Sequence, residues 1–360
     1  MPQKDDTSNA TQRVELLGSL RKSYGSSRPK LEDRPARKKD RASSFDFSRH
    51  AAYSEVRIAR AAAETLSLAS PFFRVSEAVR ATEVMISGRW VTNFASYDYL
   101  SLNQSSAVCQ AVKDDVDDWG VSATASRLVG GERKGHADLE KRLADFVGTE
   151  STLTMVSGHA TNLAVIRTLL GAGDLILVDA LAHNSIYEGI RASGASHVTF
   201  PHNDYDWVDQ YLTTNGARYE NTLIAVEGLY SMDGDTPDLP KFVEIKQRHE
   251  AWLMVDEAHS LGVLGANGKG ICEESGVDPR QIEVIMGTLS KSFCSCGGFI
   301  AGSEALTDLL RFKAPGFVYS VGLSTPNASA AKAALGEIEQ NPEMVVALRE
   351  KCAAFRKIAK

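Results

Sequence analysis

Gly287-Thr288-Leu289-Ser290-Lys291-Ser292 is read together with Asp256-Glu257-Ala258-His259, about one βα unit upstream. The first string sets a lysine just past an apolar run, Val284 to Leu289, that reads as a buried strand. The second sets a carboxylate at the end of another, Trp252 to Val255. A lysine at the carboxyl end of a strand can form a Schiff base with an aldehyde cofactor. An aspartate at the end of a nearby strand can hold that cofactor's ring nitrogen protonated. Lys291 and Asp256 together supply what pyridoxal 5′-phosphate requires of a protein.

Around these strings, short apolar runs alternate with helical segments. The runs are Thr152–Val156, Leu175–Val178, His197–Phe200, Thr222–Val226, Trp252–Val255, Val284–Thr288 and Gly298–Ala301. They are near-continuous rather than alternating, as strands buried on both faces require. Seven strands with helices between them predict a three-layer α/β domain, and right-handed crossovers predict a mostly parallel sheet. Val84–Ser87 and Trp90–Ala95 flank Gly88 and predict a small hairpin. Residues 51–69 are Ala-rich with helical spacing, and 1–50 are polar and aperiodic.

The bulk properties set limits. A chain of 360 residues with 43% hydrophobic and 24% charged residues has ordinary globular composition. No apolar run reaches about 18 residues, so no membrane span is predicted, and the N-terminus lacks the apolar region of a secretory signal. Five scattered cysteines fit a cytoplasmic protein with reduced thiols. Residues 1–50 hold 12 Lys/Arg against 7 Asp/Glu, yet the whole chain carries −6, which argues against a nucleic-acid binder. The basic run Arg34-Pro-Ala-Arg-Lys-Lys-Asp-Arg41 reads as a solvated, disordered linker, with contact to an acidic partner as the sharper alternative. No Gly-x-Gly-x-x-Gly follows the first strand, against a dinucleotide site.

In a sheet of this kind the ligand sits beyond the carboxyl ends of the strands. The first strand ends in Ser157-Gly158-His159-Ala160-Thr161-Asn162, where Gly158 lets the chain turn into a helix N-terminus suited to a phosphate. Many βα turns carry Ser-Gly, so that string alone is weak. His183, in Asp179-Ala-Leu-Ala-His183-Asn-Ser185, either lies flat on an aromatic ring or caps a helix. Glu227-Gly-Leu-Tyr-Ser-Met-Asp-Gly-Asp235 follows the fourth strand and could be a polar turn, since Asp-Gly favours one. The fifth strand brings Asp256 and His259, and the sixth Thr288 and Lys291. Each end is ambiguous by itself; five in succession are not.

With these strings in place, the chain resembles the α-oxoamine synthases, pyridoxal-phosphate enzymes of the aspartate-aminotransferase fold that include aminooxononanoate synthase, aminoketobutyrate ligase, aminolevulinate synthase and serine palmitoyltransferase. The resemblance runs from about Phe94 to Ser324. It is carried by Asn93–Leu100, Ser126-Arg127-Leu-Val-Gly-Gly131 through His136–Glu140, Ser157–Asn162, His183–Ser185, Glu227–Asp235, Asp256–Gly262 and Gly287–Lys291. It implies a three-layer pyridoxal-phosphate-dependent transferase fold of aspartate aminotransferase type I, with a mostly parallel seven-stranded sheet. It also implies a homodimer with the active site at the interface.

The resemblance assigns roles residue by residue. Lys291 forms the Schiff base and later moves protons at the amino-acid Cα, and Asp256 pairs with the ring nitrogen. His259 and Ser231 hydrogen-bond the phenolic oxygen, with His259 also positioning the acyl substrate. His183 stacks on the ring, and the Gly158 and His159 amides with the Thr288 hydroxyl hold the phosphate. The implied biosynthetic reaction is a decarboxylative condensation of glycine, alanine or serine with an acyl thioester, giving an α-amino ketone. Ala314-Pro-Gly-Phe-Val-Tyr-Ser-Val-Gly-Leu323 and the loop Ser292–Gly298 look most like the polyketide-associated branch. There an acyl carrier protein rather than coenzyme A donates the acyl group, and Arg34–Arg41 would attract that acidic partner. Another pyridoxal-phosphate reaction, such as transamination or aldol cleavage, is the alternative, as is a non-catalytic partner subunit.

Two features depart from the family pattern. Cys294 and Cys296 stand where many members have Gly or Ala. Two thiols this close to an aldehyde cofactor could be reactive, but they read first as small packing residues, and not as a metal site, because Cys-x-Cys offers too few ligands. The family's C-terminal domain supplies an arginine for the substrate carboxylate, but Pro326–Lys360 reads as two helices, enough only to begin that domain. The expected organisation is a basic extension (1–50), an N-terminal helix, hairpin and arm (51–120), a cofactor-binding large domain (121–325) and an incomplete small domain (326–360).

Overall fold

A computed structural model describes residues 46–67, 70 and 72–359. The basic run Arg34–Arg41 and nearly all of the expected 1–50 extension lie outside the described residues. The chain divides at Val75 into two units. In the first, the Ala-rich stretch forms helix α1 (Ala51–Thr65), with the His50 ring accepting from the Ala52 amide at its start.

The second unit opens with a three-stranded antiparallel sheet, β1 (Ala78–Arg80), β2 (Glu83–Ile86) and β3 (Arg89–Thr92). The β2–β3 pair is the expected hairpin, turning at Ser87-Gly88 with Ile86 opposite Arg89. Helices α2 (Ser106–Trp119) and α3 (Lys134–Val147) then lead into the main sheet.

That sheet has seven strands: β4 (Ser151–Met155), β5 (Leu175–Asp179), β6 (Ser196–Phe200), β7 (Thr222–Glu227), β8 (Trp252–Asp256), β9 (Val284–Thr288) and β10 (Gly298–Gly302). Their order is β4-β10-β9-β8-β7-β5-β6. All seven apolar runs became strands. β10 alone runs antiparallel to its neighbours β9 and β4. The cause is the connection: only Leu289–Gly297 joins β9 to β10, too short for the crossover that a parallel neighbour needs. Lys291 rides on that loop.

The connecting helices are α4 (Gly158–Leu169), α5 (Asn184–Ser193), α6 (Tyr205–Asn215), α7 (Leu239–Arg248) and the short α8 (Ile271–Ser275). After β10 come α9 (Glu304–Lys313), α10 (Pro315–Val318), α11 (Thr325–Gln340) and α12 (Glu343–Ala359). Polar caps start them where the strands end: Ser157 for α4, His183 for α5, Asp204 for α6 and Asp238 for α7.

The strands place alternate residues in two cores, as a period of two demands. Leu175, Leu177, Ile224, Val226, Leu253 and Val255 face one core with α3, α7 and α11. Ile176, Val178, Leu223, Ala225 and Met254 face the other with α4 and α5. With both faces covered, the polar residues at the carboxyl ends of the strands are collected at one rim.

Candidate active site

That rim holds a cavity lined by Gly158, His159, Asn162, His183, Ser185, Glu227, Asp256, Ala258, His259, Met286, Thr288 and Lys291. Seven of the eight residues expected at the site are therefore brought together. Ser231 is the exception: it is exposed on the loop after β7 and does not line the cavity. The loop folds on itself, with the Gly234 amide donating to Tyr230 O and the Tyr230 amide to Asp235 O. The Tyr230 ring takes the buried place, 1% exposed, and Ser231 is left on the outside of the turn.

Asp256 ends β8 and is 3% exposed. One carboxylate oxygen accepts from Asn162 Nδ2 at 2.7 Å and the other from the Ala258 amide at 3.0 Å. Asn162 also donates to Ser185 Oγ at 2.9 Å, and Ser185 Oγ lies 2.7 Å from His183 Nδ1. The Ser185 amide donates to the same nitrogen at 3.3 Å. His183 Nδ1 is thus an acceptor and its proton sits on Nε2. The histidine both caps α5 and lines the cavity, so the two readings offered by the sequence are one arrangement. Burial holds its pKa below the ordinary value, against the pull of Asp256.

Lys291 stands three residues past β9, half-buried, and forms no ion pair among the described residues. Burial lowers its pKa, while the carboxylates of Asp256 and Glu227 work the other way. Glu227 ends β7 directly opposite Asp256 in the strand register. Burial and then the Asp256 charge push its carboxyl up to about 8. His259 is held down to about 4, first by burial and then by Lys291 and His183, and its Nδ1 lies 2.9 Å from the Tyr99 hydroxyl.

The turn into α4 is built for a close approach. A Cβ at Gly158 would lie 2.8 Å from Thr288 Oγ1, so only glycine lets the helix start against β9. The first amides of α4 have no partner within the helix and are presented beside the Thr288 hydroxyl. Beneath the site, Glu257 is 1% exposed and accepts from the Ile271 amide and from Ser260 Oγ. Burial raises it to about 7. It pins the loop that carries His259.

Cys294 and Cys296 lie outside the cavity. Cys294 packs against the first core and burial pushes its thiol up to about 12. A larger apolar cavity of about 400 Å³, walled by Leu169, Trp252, Ile282, Leu306 and Leu309, sits at the opposite ends of the strands and holds none of these groups. Tyr99, Asn162, Ser185 and Glu227 are the site residues that sequence reasoning did not single out, although each lies inside a string quoted for the resemblance.

The arrangement is that of the pyridoxal-phosphate-dependent transferases. The sequence profile of the family described as aminotransferase class I and II matches residues 89–358. The 8-amino-7-oxononanoate synthase of Methylococcus capsulatus is 38% identical over 283 residues, 79% of this chain and 73% of its own length. The serine palmitoyltransferase of Sphingomonas wittichii superposes with a TM-score of 0.77 at 32% identity, covering 82% of this chain and 73% of that one. A serine palmitoyltransferase solved with pyridoxal phosphate superposes with a TM-score of 0.79 at 29% identity, covering 85% and 76%. The chain belongs to the aminotransferase class I and II family and, within it, to the α-oxoamine synthases. It spans 66% of the length of a Caulobacter vibrioides relative to which it is 43% identical.

Proposed function

We propose that this chain belongs to an enzyme that condenses a small α-amino acid with an acyl thioester, using pyridoxal phosphate, to give an α-amino ketone. The observation that carries the reading is Lys291: a half-buried amine without an ion-pair partner among the described residues, in one cavity with the buried side chains of Asp256 and Glu227. An amine with a depressed pKa is free to attack an aldehyde.

The residues fit that cofactor. The cradle at Gly158 and His159 offers amide donors to a phosphate, and the Thr288 hydroxyl, which donates to Gly297 O at 3.1 Å, would turn to join them. Asp256, fixed by Asn162 and Ala258, would pair with a ring nitrogen. His183, with its Nδ1 tied down, offers its ring face. His259 offers Nε2–H to the phenolic oxygen, and Ser231 would join it when its loop turns inward. When bound, pyridoxal phosphate supplies an electron sink for negative charge at the amino-acid Cα.

Lys291 takes the proton from Cα and later returns one. Asp256 keeps its partner nitrogen protonated because its carboxylate is buried and oriented before the ligand arrives. Between these proton transfers, Cα bonds to the thioester carbonyl carbon, the C–S bond breaks, and the thiolate leaves and takes a proton from solvent. The carboxylate then departs as carbon dioxide.

A homodimer is in keeping with apolar side chains exposed on two hydrogen-bonded segments. The Ser126 hydroxyl donates to Val318 O and the Gly322 amide to Ala125 O, tying two segments side by side. Val121, Val129 and Tyr319 on them are exposed. An acyl carrier protein as donor, drawn by Arg34–Arg41, and a cytoplasmic location, in keeping with five free cysteines, complete the proposal.

The test is a panel of glycine, alanine and serine against acyl-coenzyme A and acyl carrier protein, read by mass for amino ketone and free thiol. Transamination products alone would refute the reaction. A rate that is indifferent to salt and to deletion of residues 1–50 would refute the carrier-protein donor.

A further inference from the structure

Outside the cavity, one histidine joins three strand ends. β6 ends at Phe200, and His202 follows two residues later. Its Nδ1 lies 2.9 Å from Asp179 Oδ1, at the end of β5. Its Nε2 lies 2.8 Å from Asp235 Oδ2, in the loop after β7. Its ring meets that of Tyr230, in the same loop, edge to face, with centroids 4.5 Å apart. Asn203 repeats the bridge: its amide donates to Asp179 Oδ2 at 2.8 Å and its Nδ2 to Asp235 Oδ2 at 3.1 Å.

A carboxylate only accepts hydrogen bonds, so a histidine between two of them must donate from both nitrogens. That state is the imidazolium. The titratable groups against the ring are Asp179 from β5 and Asp235 and Tyr230 from the β7 loop. Burial raises the Tyr230 hydroxyl far above its ordinary range, so it stays neutral. Burial alone would push His202 down; its hydrogen bonds to the two aspartates outweigh that and hold its pKa above the ordinary value.

The two contacts are unequal. Asp179 is fully buried and cannot turn to water, whereas the Asp235 side chain is 45% exposed. When one proton leaves, Nδ1–H stays with Asp179 and the contact at Nε2 is lost. Asn203 Nδ2, 3.3 Å from Nε2, is placed to donate to the bare nitrogen, which weakens its own hold on Asp235 Oδ2 and Thr236 O.

We propose that His202 is a positioning residue: as an imidazolium it clamps Asp235, and with it the Gly228–Asp235 loop that carries Ser231, to the end of β5, and loss of one proton releases the loop. The consequence for the reaction rests on the role proposed for Ser231; the clamp itself does not. The clamp is present at low pH and is lost as pH rises through the raised pKa of the histidine.

The experiment follows the full chain, without cofactor, by NMR of ¹⁵N-labelled histidine, the His202 signals being those missing in His202→Gln. The amides of Tyr230 and Gly234 are followed alongside by hydrogen exchange normalised to intrinsic rates. The expected result is a His202 pKa above 6.5, both nitrogens protonated below it, and lowered by Asp235→Asn. Exchange at 230 and 234 should quicken about ten-fold across that titration and stay flat in His202→Gln. A pKa at or below 6.5, or wild-type exchange that tracks the variant, overturns the clamp. Neither readout needs bound pyridoxal phosphate, so failure here is distinct from failure of the proposed reaction.

Discussion

The Tyr99 hydroxyl lies 2.9 Å from His259 Nδ1, joining the segment before α2 to the loop after β8. Burial raises the Tyr99 pKa, so the phenol keeps its proton. His259, held down to about 4, is neutral at working pH. Tyr99 is therefore the donor and Nδ1 the acceptor, which leaves the histidine proton on Nε2. Tyr99→Phe removes one neutral hydrogen bond, worth about 1 kcal/mol, and should lower kcat roughly five-fold with little change in KM. Steady-state kinetics with the amino acid identified by the panel decide it; an unchanged kcat would show that Tyr99 does not orient the ring.

Lys291→Ala should abolish covalent attachment of pyridoxal phosphate and all turnover. In the unaltered chain, borohydride reduction and peptide mapping should place the label on Lys291. A label on any other lysine would remove the assignment of this cavity as the active site.

Asp256→Asn should keep the fold, because an amide oxygen can still accept from the Ala258 amide and Asn162 can turn its unpartnered Oδ1 to the new NH2. It removes the negative charge that holds the ring nitrogen protonated. Exchange of the Cα hydrogen of the amino acid in deuterated buffer should slow by at least about a hundred-fold. Exchange at the wild-type rate would be incompatible with the role given to Asp256.

Arg127 carries stability rather than chemistry. It is 6% exposed, with Nε 2.7 Å from Glu132 and its two terminal nitrogens 2.5 and 3.0 Å from the Glu140 carboxylate. Burial opposes its charge, and the two glutamates more than restore it. Arg127→Met removes the nearest cation from the buried Glu140, leaving it Arg311 at 3.5 Å and the Thr154 donors, and should cost about 3 kcal/mol. The double variant Arg127→Met/Glu140→Leu should recover part of that loss. Urea denaturation measures both, and a single-variant loss under about 1 kcal/mol would show that Glu140 finds other partners.

The seven main-sheet strands were legible because burial on both faces leaves unbroken apolar runs, and the cavity was legible because each run ends in a polar string. The strand order was not, since nothing local in β10 says which strands it joins. The π-helical turn at Arg127–Gly131 left no periodic signal; it shows only in the Gly131 amide reaching back to Ser126 O at 2.8 Å. Ser231 stands outside the cavity because Tyr230, next to it in the string, takes the buried side of the turn. Tyr99 and His202 were missed because their partners lie 160 and 23 or 33 residues away, and a lone Tyr or His carries no spacing rule.

Glu227 gives the site a pH signature of its own. It is 4% exposed, and burial, then the Asp256 carboxylate beside it, raise its pKa to about 8 from the model-compound value of 4.5, against the opposing effect of Lys291. Between those values the folded chain holds a proton that the unfolded chain has released. The stability linked to that proton is complete below 4.5 and is lost as pH climbs towards 8. Glutamine has the same shape and no proton to lose. In the absence of cofactor, Glu227→Gln should match the wild type near pH 5 and exceed it increasingly above, by at most about 1.4 kcal/mol for each pH unit. Glu257, raised to about 7, contributes the same slope to both proteins and cancels in the difference. Urea midpoints of the two proteins between about pH 5 and pH 8 measure it. A difference that stays constant across that range would mean that Glu227 is already ionised at pH 5 and that the carboxylates of the site do not share the burial their positions at the ends of β7 and β8 imply.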